Sequence, residues 1–298
     1  MPGAVIDSNV QLLVNIIVLS AIYALIACGY VLIYRVSRVL NLAHGELMML
    51  GAYLLLTVAS LFTQSAAAAL AAALGLSLAV GLMVYLFLMR KMTGEMVLAA
   101  VLTTIALGIL LRGLVVLIWS AQQQYPAQAL ALDNPPIVLP GGARISTFAA
   151  ILVLATAAVY AALFGFLRFG RWGVRMRAAG QNPLLAAQRG ISLHAVYALA
   201  WGLSTLTGSL AGMLIALDSG LTGTMVTIGL KAFPAALVGG LDSLAGALLG
   251  SLIVGAAEVL LVYVNPLLSD VVPFLVLIAM LIVRPWGLFG TREELDRV

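Results

Sequence analysis

Charged side chains are scarce in this chain, 9% of its 298 residues, while 63% are hydrophobic. Soluble domains carry roughly 25% charged and 45–50% apolar residues. A water-soluble fold would lack the polar surface to cover such a core. The mean hydropathy of +1.15 points to an integral membrane protein with many spans. Cysteine occurs once, as Cys28 inside an apolar run, so no disulfide forms within the chain and no cysteine metal site is expected. Of only two histidines, His44 lies two residues from Glu46, which is not the HExxH zinc spacing. No GxSxG elbow and no P-loop lysine motif occurs. Hydrolysis and redox chemistry are not expected, nor is a cofactor or metal in this chain. Energy for any work must come from another subunit or an ion gradient. The opening MPGAVIDSNV has no Lys or Arg and is not read as a secretory signal. The +4 net charge matches the basic bias of cytoplasmic membrane loops better than a nucleic-acid partner, and none is expected.

A span needs about 20 apolar residues. Apolar runs place spans at roughly 11–34, 45–63, 66–89, 96–118, 147–167, 193–217, 225–241, 244–264 and 268–287. The 225–241 run is short and holds Lys231, Pro234 and a Gly239-Gly240 pair. Arg35, Arg38, Arg90, Lys91, Arg168, Arg171, Arg175, Arg177, Arg189, Arg284, Arg292 and Arg297 fall in alternate loops. Placing those loops in the cytoplasm gives an N-terminus outside and a C-terminus inside. That orientation needs an odd number of crossings, which nine satisfies. Four spans before the fifth and four after it then run in opposite senses, as in inverted-repeat transporters. The expected fold is an all-α membrane bundle of about nine crossings in one permease domain. Its parts are a first repeat at 11–118, a linking span at 147–167, a loop at 168–191 and a second repeat at 193–287. The second element of each repeat, 41–53 and 222–240, is rich in glycine and polar residues and reads as discontinuous.

Ionisable groups inside spans are functional candidates. His44 and Glu46 sit near the cytoplasmic start of the second span, where Glu46 reads equally as a pathway residue or as an acid favoured by the helix dipole. Lys231 reads as a snorkelling cation or a pathway residue. Arg112 and Glu258 lie toward outer ends and read as snorkelling or structural. The small-xxx-small pairs Gly208/Gly212 and Gly246/Gly250 read as helix-packing seams. The segment 119–146 contains Pro126, Pro135, Pro136 and Pro140 and reads as an extended or turned loop. It serves either as a connector or as a platform for an extracytoplasmic partner. The loop RFGRWGVRMRAAGQNPLLAAQRGI carries five of the fifteen basic residues and no acid. Within it Asn182 suits an N-cap, Pro183 the first helical position and Gly190 the position past the end. A short helix in a basic loop suggests a docking partner.

The segments SAIYALIACGYVLIYRVSRVLNLAHGELMMLGAY and GLKAFPAALVGGLDSLAGALLGSLIVGAAEVL resemble the permease subunits of branched-chain amino acid ABC importers. RAAGQNPLLAAQRGI resembles the coupling loop of that family. The likeness covers about residues 12–290. It implies a bacterial inner-membrane importer working by alternating access. A second related permease, two cytoplasmic ATPases that bind ATP and magnesium, and a periplasmic substrate-binding protein would be its partners. Carried over by position, Arg177, Gln181, Asn182, Pro183, Leu184, Leu185, Ala187 and Gly190 would couple to the ATPase. Asn41, His44, Gly45 and Glu46 would shape one side of the pathway or gate, and Thr222, Thr224, Lys231 and Pro234 the other. The two broken segments are expected to meet near the midplane. Urea, short amides and small aromatic acids are alternative cargoes. A stand-alone secondary transporter or channel would explain the broken segments but not the capped helix.

Overall fold

The computed structural model describes residues 2–62 and 65–290, with side chains of the first helix from Asn9 onward. Arg292 and Arg297 lie outside the described residues. Eleven helices carry the architecture: α1 (Pro2–Ser37), α2 (His44–Leu61), α3 (Ala66–Met92), α4 (Val97–Trp119), α5 (Thr147–Phe169), α6 (Arg171–Gln181), α7 (Pro183–Gln188), α8 (Leu193–Ser219), α9 (Val226–Gly239), α10 (Leu244–Val264) and α11 (Val272–Val283). Helices dominate because, in lipid, every backbone N–H and C=O must be paired within its own segment. Among the described residues seven helices are long and apolar enough to cross a membrane. The expected spans at 225–241 and 268–287 appear as the short apolar helices Gly223–Gly239 and Val272–Val283. Serine caps fix three starts. Ser146, Ser192 and Ser243 accept the N–H groups of Ala149, Ala195 and Gly246 at 3.1, 3.4 and 3.0 Å.

Helix burial sorts the bundle. The apolar stretches of α1 and α8 are each 72% buried, whereas that of α3 is 22% buried, so α1 and α8 form the centre and α3 lies at the periphery. Most of the packing pattern is kept when the two halves are exchanged, except that α10 packs on α11 whereas α3 does not pack closely on α4. α1 packs on α9 and α10, α8 packs on α2 and α3, and α1 and α8 pack on each other. α2 is flanked by α4, α9 is flanked by α11, and α2 and α9 meet. α5 lies against both α1 and α8.

Two ends of the bundle are distinguishable by charge. At the basic end Arg38 pairs with Asp242 at 2.5 Å, joining the α1–α2 connection to the α9–α10 turn. The Tyr85 hydroxyl lies 2.9 Å from His194 Nδ1 at the same end. At the opposite end Gln124 bridges to Leu221, and Asn134 Nδ2 donates to Asp218 at 2.9 Å. The 119–146 segment is more ordered than its prolines suggest. Pro126 opens a one-turn helix, and Pro136–Val138 pairs with Arg144–Ser146 in a hairpin. Gly141 and Gly142, both at positive φ, turn that hairpin.

Close backbone approach explains the glycine pairs. A Cβ on Gly212 would overlap the Met48 carbonyl oxygen, which brings α8 against α2. A Cβ on Gly246 would overlap the Gly239 carbonyl, and one on Gly250 the Ala235 carbonyl, which brings α10 against α9. Gly208 leaves room for the His44 ring. Gly250→Ala should force this seam apart and destabilise the protein by about 1–3 kcal/mol. Gly113→Ala, where a Cβ meets nothing within 4 Å, should be neutral or stabilising. Thermal unfolding of the two purified variants checks this. Equal midpoints would mean that the seam is not close-packed.

Candidate pathway and coupling surface

The first broken segment differs in depth from the sequence expectation. His44 and Glu46 are not at the cytoplasmic edge. His44 Nε2 donates to the Ile26 carbonyl at 3.1 Å. Ile26 lies eleven residues before Ser37, about 16 Å along α1 at 1.5 Å per residue. The chain leaves α1 at Ser37 and runs back into the bundle without regular structure over 38–41. Only then does it begin α2. Sequence reading missed this because an irregular re-entry of a few residues has no periodicity. Asn41 holds the turn, its Oδ1 accepting the Ala43 N–H at 3.1 Å. Its buried Nδ2 has no hydrogen-bond partner. The Leu42 N–H donates to Thr104 Oγ1 on α4 at 3.1 Å. The His44 ring stands edge-on to Tyr30, with centroids 4.6 Å apart. Gly29 on α1 and Gly208 on α8 make the space for that ring, since a Cβ at Gly29 would overlap it.

Gly45 is where the two broken segments touch. A Cβ there would come within 3.0 Å of the Val226 carbonyl and 3.5 Å of Gly229 Cα. The start of α2 thus abuts the first turn of α9 inside the bundle. Thr222 and Thr224 lie just before α9, their hydroxyls 2.8 Å apart. Pro234 removes one rung of the α9 ladder. One turn earlier the Tyr30 hydroxyl donates to the Gly229 carbonyl at 3.1 Å.

The ionisable residues are paired. Glu46 does not cap α2, whose N-cap is Ala43 with no side-chain cap. Its Oε1 accepts instead from Arg112 Nη2 on α4 at 2.6 Å. Arg112 and Glu258 are therefore partners of the two broken segments, not isolated outer-end groups. Lys231 does not snorkel alone. Its Nζ donates to Glu258 Oε1 at 3.1 Å, Asp270 Oδ1 at 2.8 Å and Ser269 Oγ at 3.0 Å. Glu258 also accepts from the Tyr23 hydroxyl at 2.5 Å and from Ser269 at 2.9 Å. The exposed Asp270, in the α10–α11 connection, has its pKa lowered by the Lys231 hydrogen bond and then by its charge. Its contribution is therefore present above the ordinary carboxylate pKa and lost as pH falls through the lowered one. Sequence reading missed Tyr23, Tyr30, Ser269 and Asp270. The two tyrosines carried a signal: seven residues apart, they share one face of an otherwise apolar helix.

At the basic end the loop 168–191 contains a second helix that sequence reading missed, α6. Asn182 ends α6 and begins α7, its Oδ1 accepting the Leu185 N–H at 3.0 Å. Pro183 follows at the first helical position, and Gly190 just past the end has φ +81°. Ala186 is buried, whereas Leu184 is 70% and Leu185 55% exposed. Gln181 and Ala187 are exposed beside them, and Arg177 donates to the Leu167 carbonyl.

Comparison with known proteins shows the family. The family model described as branched-chain amino acid transport system, permease component, matches residues 12–281. The chain belongs to this family. It is 31% identical to the high-affinity branched-chain amino acid transport system permease protein LivH of Escherichia coli K12, over 97% of each chain. LivH of Salmonella typhimurium and the permease protein BraD of Pseudomonas aeruginosa are each 30% identical, again over 97% of each chain. This family member is a multi-pass membrane protein, as its seven long apolar helices require.

The charge pairs yield a double-mutant test. Lys231→Met leaves the Glu258 carboxylate buried with only neutral donors. Breaking one side of a buried pair costs about 3–5 kcal/mol, while removing both charges costs far less. The single variant should therefore unfold at a lower temperature than Lys231→Met/Glu258→Gln in the same detergent. Equal loss in both would show that the two groups are not coupled.

Proposed function

We propose that this chain is a permease subunit of an ATP-driven importer of branched-chain amino acids, working by alternating access. The observation that carries the reading is α7. A six-residue helix is capped at both ends, anchored by Ala186, and presents Leu184 and Leu185 outward at the basic end. Two exposed leucines on a rigid peg outside the bundle need an apolar groove to cover them. A cytoplasmic ATPase supplies both that groove and the site for ATP and magnesium. The proposed assembly contains two such ATPases, a second related permease and a binding protein at the face opposite the basic end. A stand-alone transporter or channel leaves the exposed leucine pair unexplained.

The largely exchange-symmetric packing of α1–α4 and α8–α11 supports two inverted repeats joined by α5. With α9, α11 and their flanking segments counted as crossings, the chain crosses nine times. The N-terminus is then outside and the basic end lies in the cytoplasm of a bacterial inner membrane. The pathway runs where Gly45 meets Gly229, lined by Asn41, His44, Glu46, Thr222, Thr224, Lys231 and Pro234. The relatives, named as branched-chain amino acid permeases, favour branched-chain amino acids over urea, short amides or aromatic acids.

Leu184→Asp/Leu185→Asp should weaken ATPase binding about a hundredfold or more, since burial of each leucine is worth roughly 1.5–3 kcal/mol. Leucine uptake in cells should fall accordingly while the level of permease in the membrane is unchanged. Wild-type uptake and ATPase co-purification would overturn the assignment.

A further inference from the structure

The elbow between α5 and α6 has a surface that neither the pathway nor α7 uses. Gly170, with φ −72° and ψ 139°, breaks the helix between Phe169 and Arg171. A Cβ on Gly173 would overlap the carbonyls of Phe166 and Leu167, so α6 folds directly back over the end of α5. Seven residues on, a Cβ on Gly180 would overlap the Arg35 carbonyl near the end of α1. α6 therefore lies across the ends of two spans, with Gly173, Met176 and Ala179 buried against them. A helix laid across span ends sits at the depth of lipid headgroups.

Around the elbow Arg168 and Phe169 at the end of α5, and Arg171, Trp172, Val174 and Arg175 on α6, are all exposed. The Arg168 guanidinium lies 5.5 Å from the Phe169 ring centroid, and that of Arg175 lies 4.8 Å from the Trp172 centroid. Stacking on a ring holds the guanidinium plane while its N–H groups stay free to meet a phosphate. No acidic residue occurs anywhere between Asp133 and Asp218, so α5, α6 and α7 carry no negative charge of their own. It is also continuous with the lipid-facing side of α5. The exposed Leu154, Ala161 and Arg168 follow at seven-residue spacing on one helix face. Aromatic rings beside basic residues at the end of a span match the membrane interface.

We propose that this elbow binds the headgroup of an anionic phospholipid. Arg168, Arg171 and Arg175 meet the phosphate, and Phe169 and Trp172 sit at the headgroup–acyl boundary. The bound lipid holds α6, and α7 beyond it, at a fixed height on the membrane. The proposal rests on the membrane reading of the bundle and is independent of the cargo.

The test uses the assembled transporter, permeases with ATPases, purified in mild detergent and mixed with phosphatidylglycerol or phosphatidylcholine. Lipid retention is read by native mass spectrometry. Wild type should retain phosphatidylglycerol in preference to phosphatidylcholine. Arg168→Gln/Arg171→Gln/Arg175→Gln should weaken that retention by about fivefold per arginine, roughly a hundredfold in all. The three side chains are exposed, so the fold should persist. The triple lysine variant keeps the charge and should keep most of the lipid. Equal retention by wild type and the glutamine variant would overturn the proposal. So would loss of the ATPases with unchanged lipid, which would make the patch a protein contact. A lysine variant that binds no better than the glutamine variant would also count against a charge-based site.

Discussion

The contact between Gly45 and Gly229 is the constraint on which the rest of the bundle depends. Two segments enter the bundle from opposite ends, one as irregular chain and the other through a 3-10 turn at Gly223–Met225, and begin their α-helices inside it. Irregular backbone at membrane depth survives only when protein or a water-filled cavity surrounds it. Here protein surrounds it because glycine at both positions lets the backbones meet. Gly212 repeats the same device against α2, and Gly246 and Gly250 against α9, while Gly29 and Gly208 make room for a ring. His44 then fills the space left by Gly29 and Gly208 and ties α2 to the Ile26 carbonyl. A Cβ at any of these contacts would push a half-helix out of place.

Placing helix starts inside the bundle also places polar groups there, and the structure pairs them across neighbouring helices. Glu46, in the first turn of α2, reaches Arg112 on α4. Lys231, in the second turn of α9, reaches Glu258 on α10 and Asp270 before α11. The two halves solve the same problem with opposite charges. The broken helix of one contributes an acid, and that of the other a base. Each pair thereby bolts a short central helix to an outer one. Any motion that separates the two broken helices from their neighbours must carry these outer helices along or break a charge pair.

What the sequence makes legible follows from locality. Apolar runs announce the long spans, because a span is a property of about 20 consecutive residues. Capping is equally local: Asn182, Pro183 and Gly190 mark α7 within nine positions. Partnership is not local. Nothing near Glu46 points to Arg112, 66 residues away, or near Tyr23 to Glu258, 235 residues away. The depth of His44 was hidden for the same reason. The irregular stretch 38–41 looks like an ordinary loop until α1 supplies the carbonyl that His44 reaches. The helix α6 was obscured differently. Its arginines lower its hydropathy, and its buried stripe of Gly173, Met176 and Ala179 is too small to stand out as a hydrophobic face.

Those small residues bring α6 into direct contact with two spans. Because Gly173 and Gly180 place its backbone directly on the ends of α5 and α1, little compressible side-chain layer separates it from them. α7 continues from α6 through Asn182 alone, so displacement of the exposed leucines reaches α6 over one residue. α6 bears on Arg35. Three residues on, Arg38 grips Asp242 in the turn between α9 and α10. The same few residues of chain, 38–43, then lead to His44 and Gly45 at the crossing. A short covalent and packed chain of contacts therefore joins α7 to both broken segments. The Arg38–Asp242 pair is the point where the two halves share it.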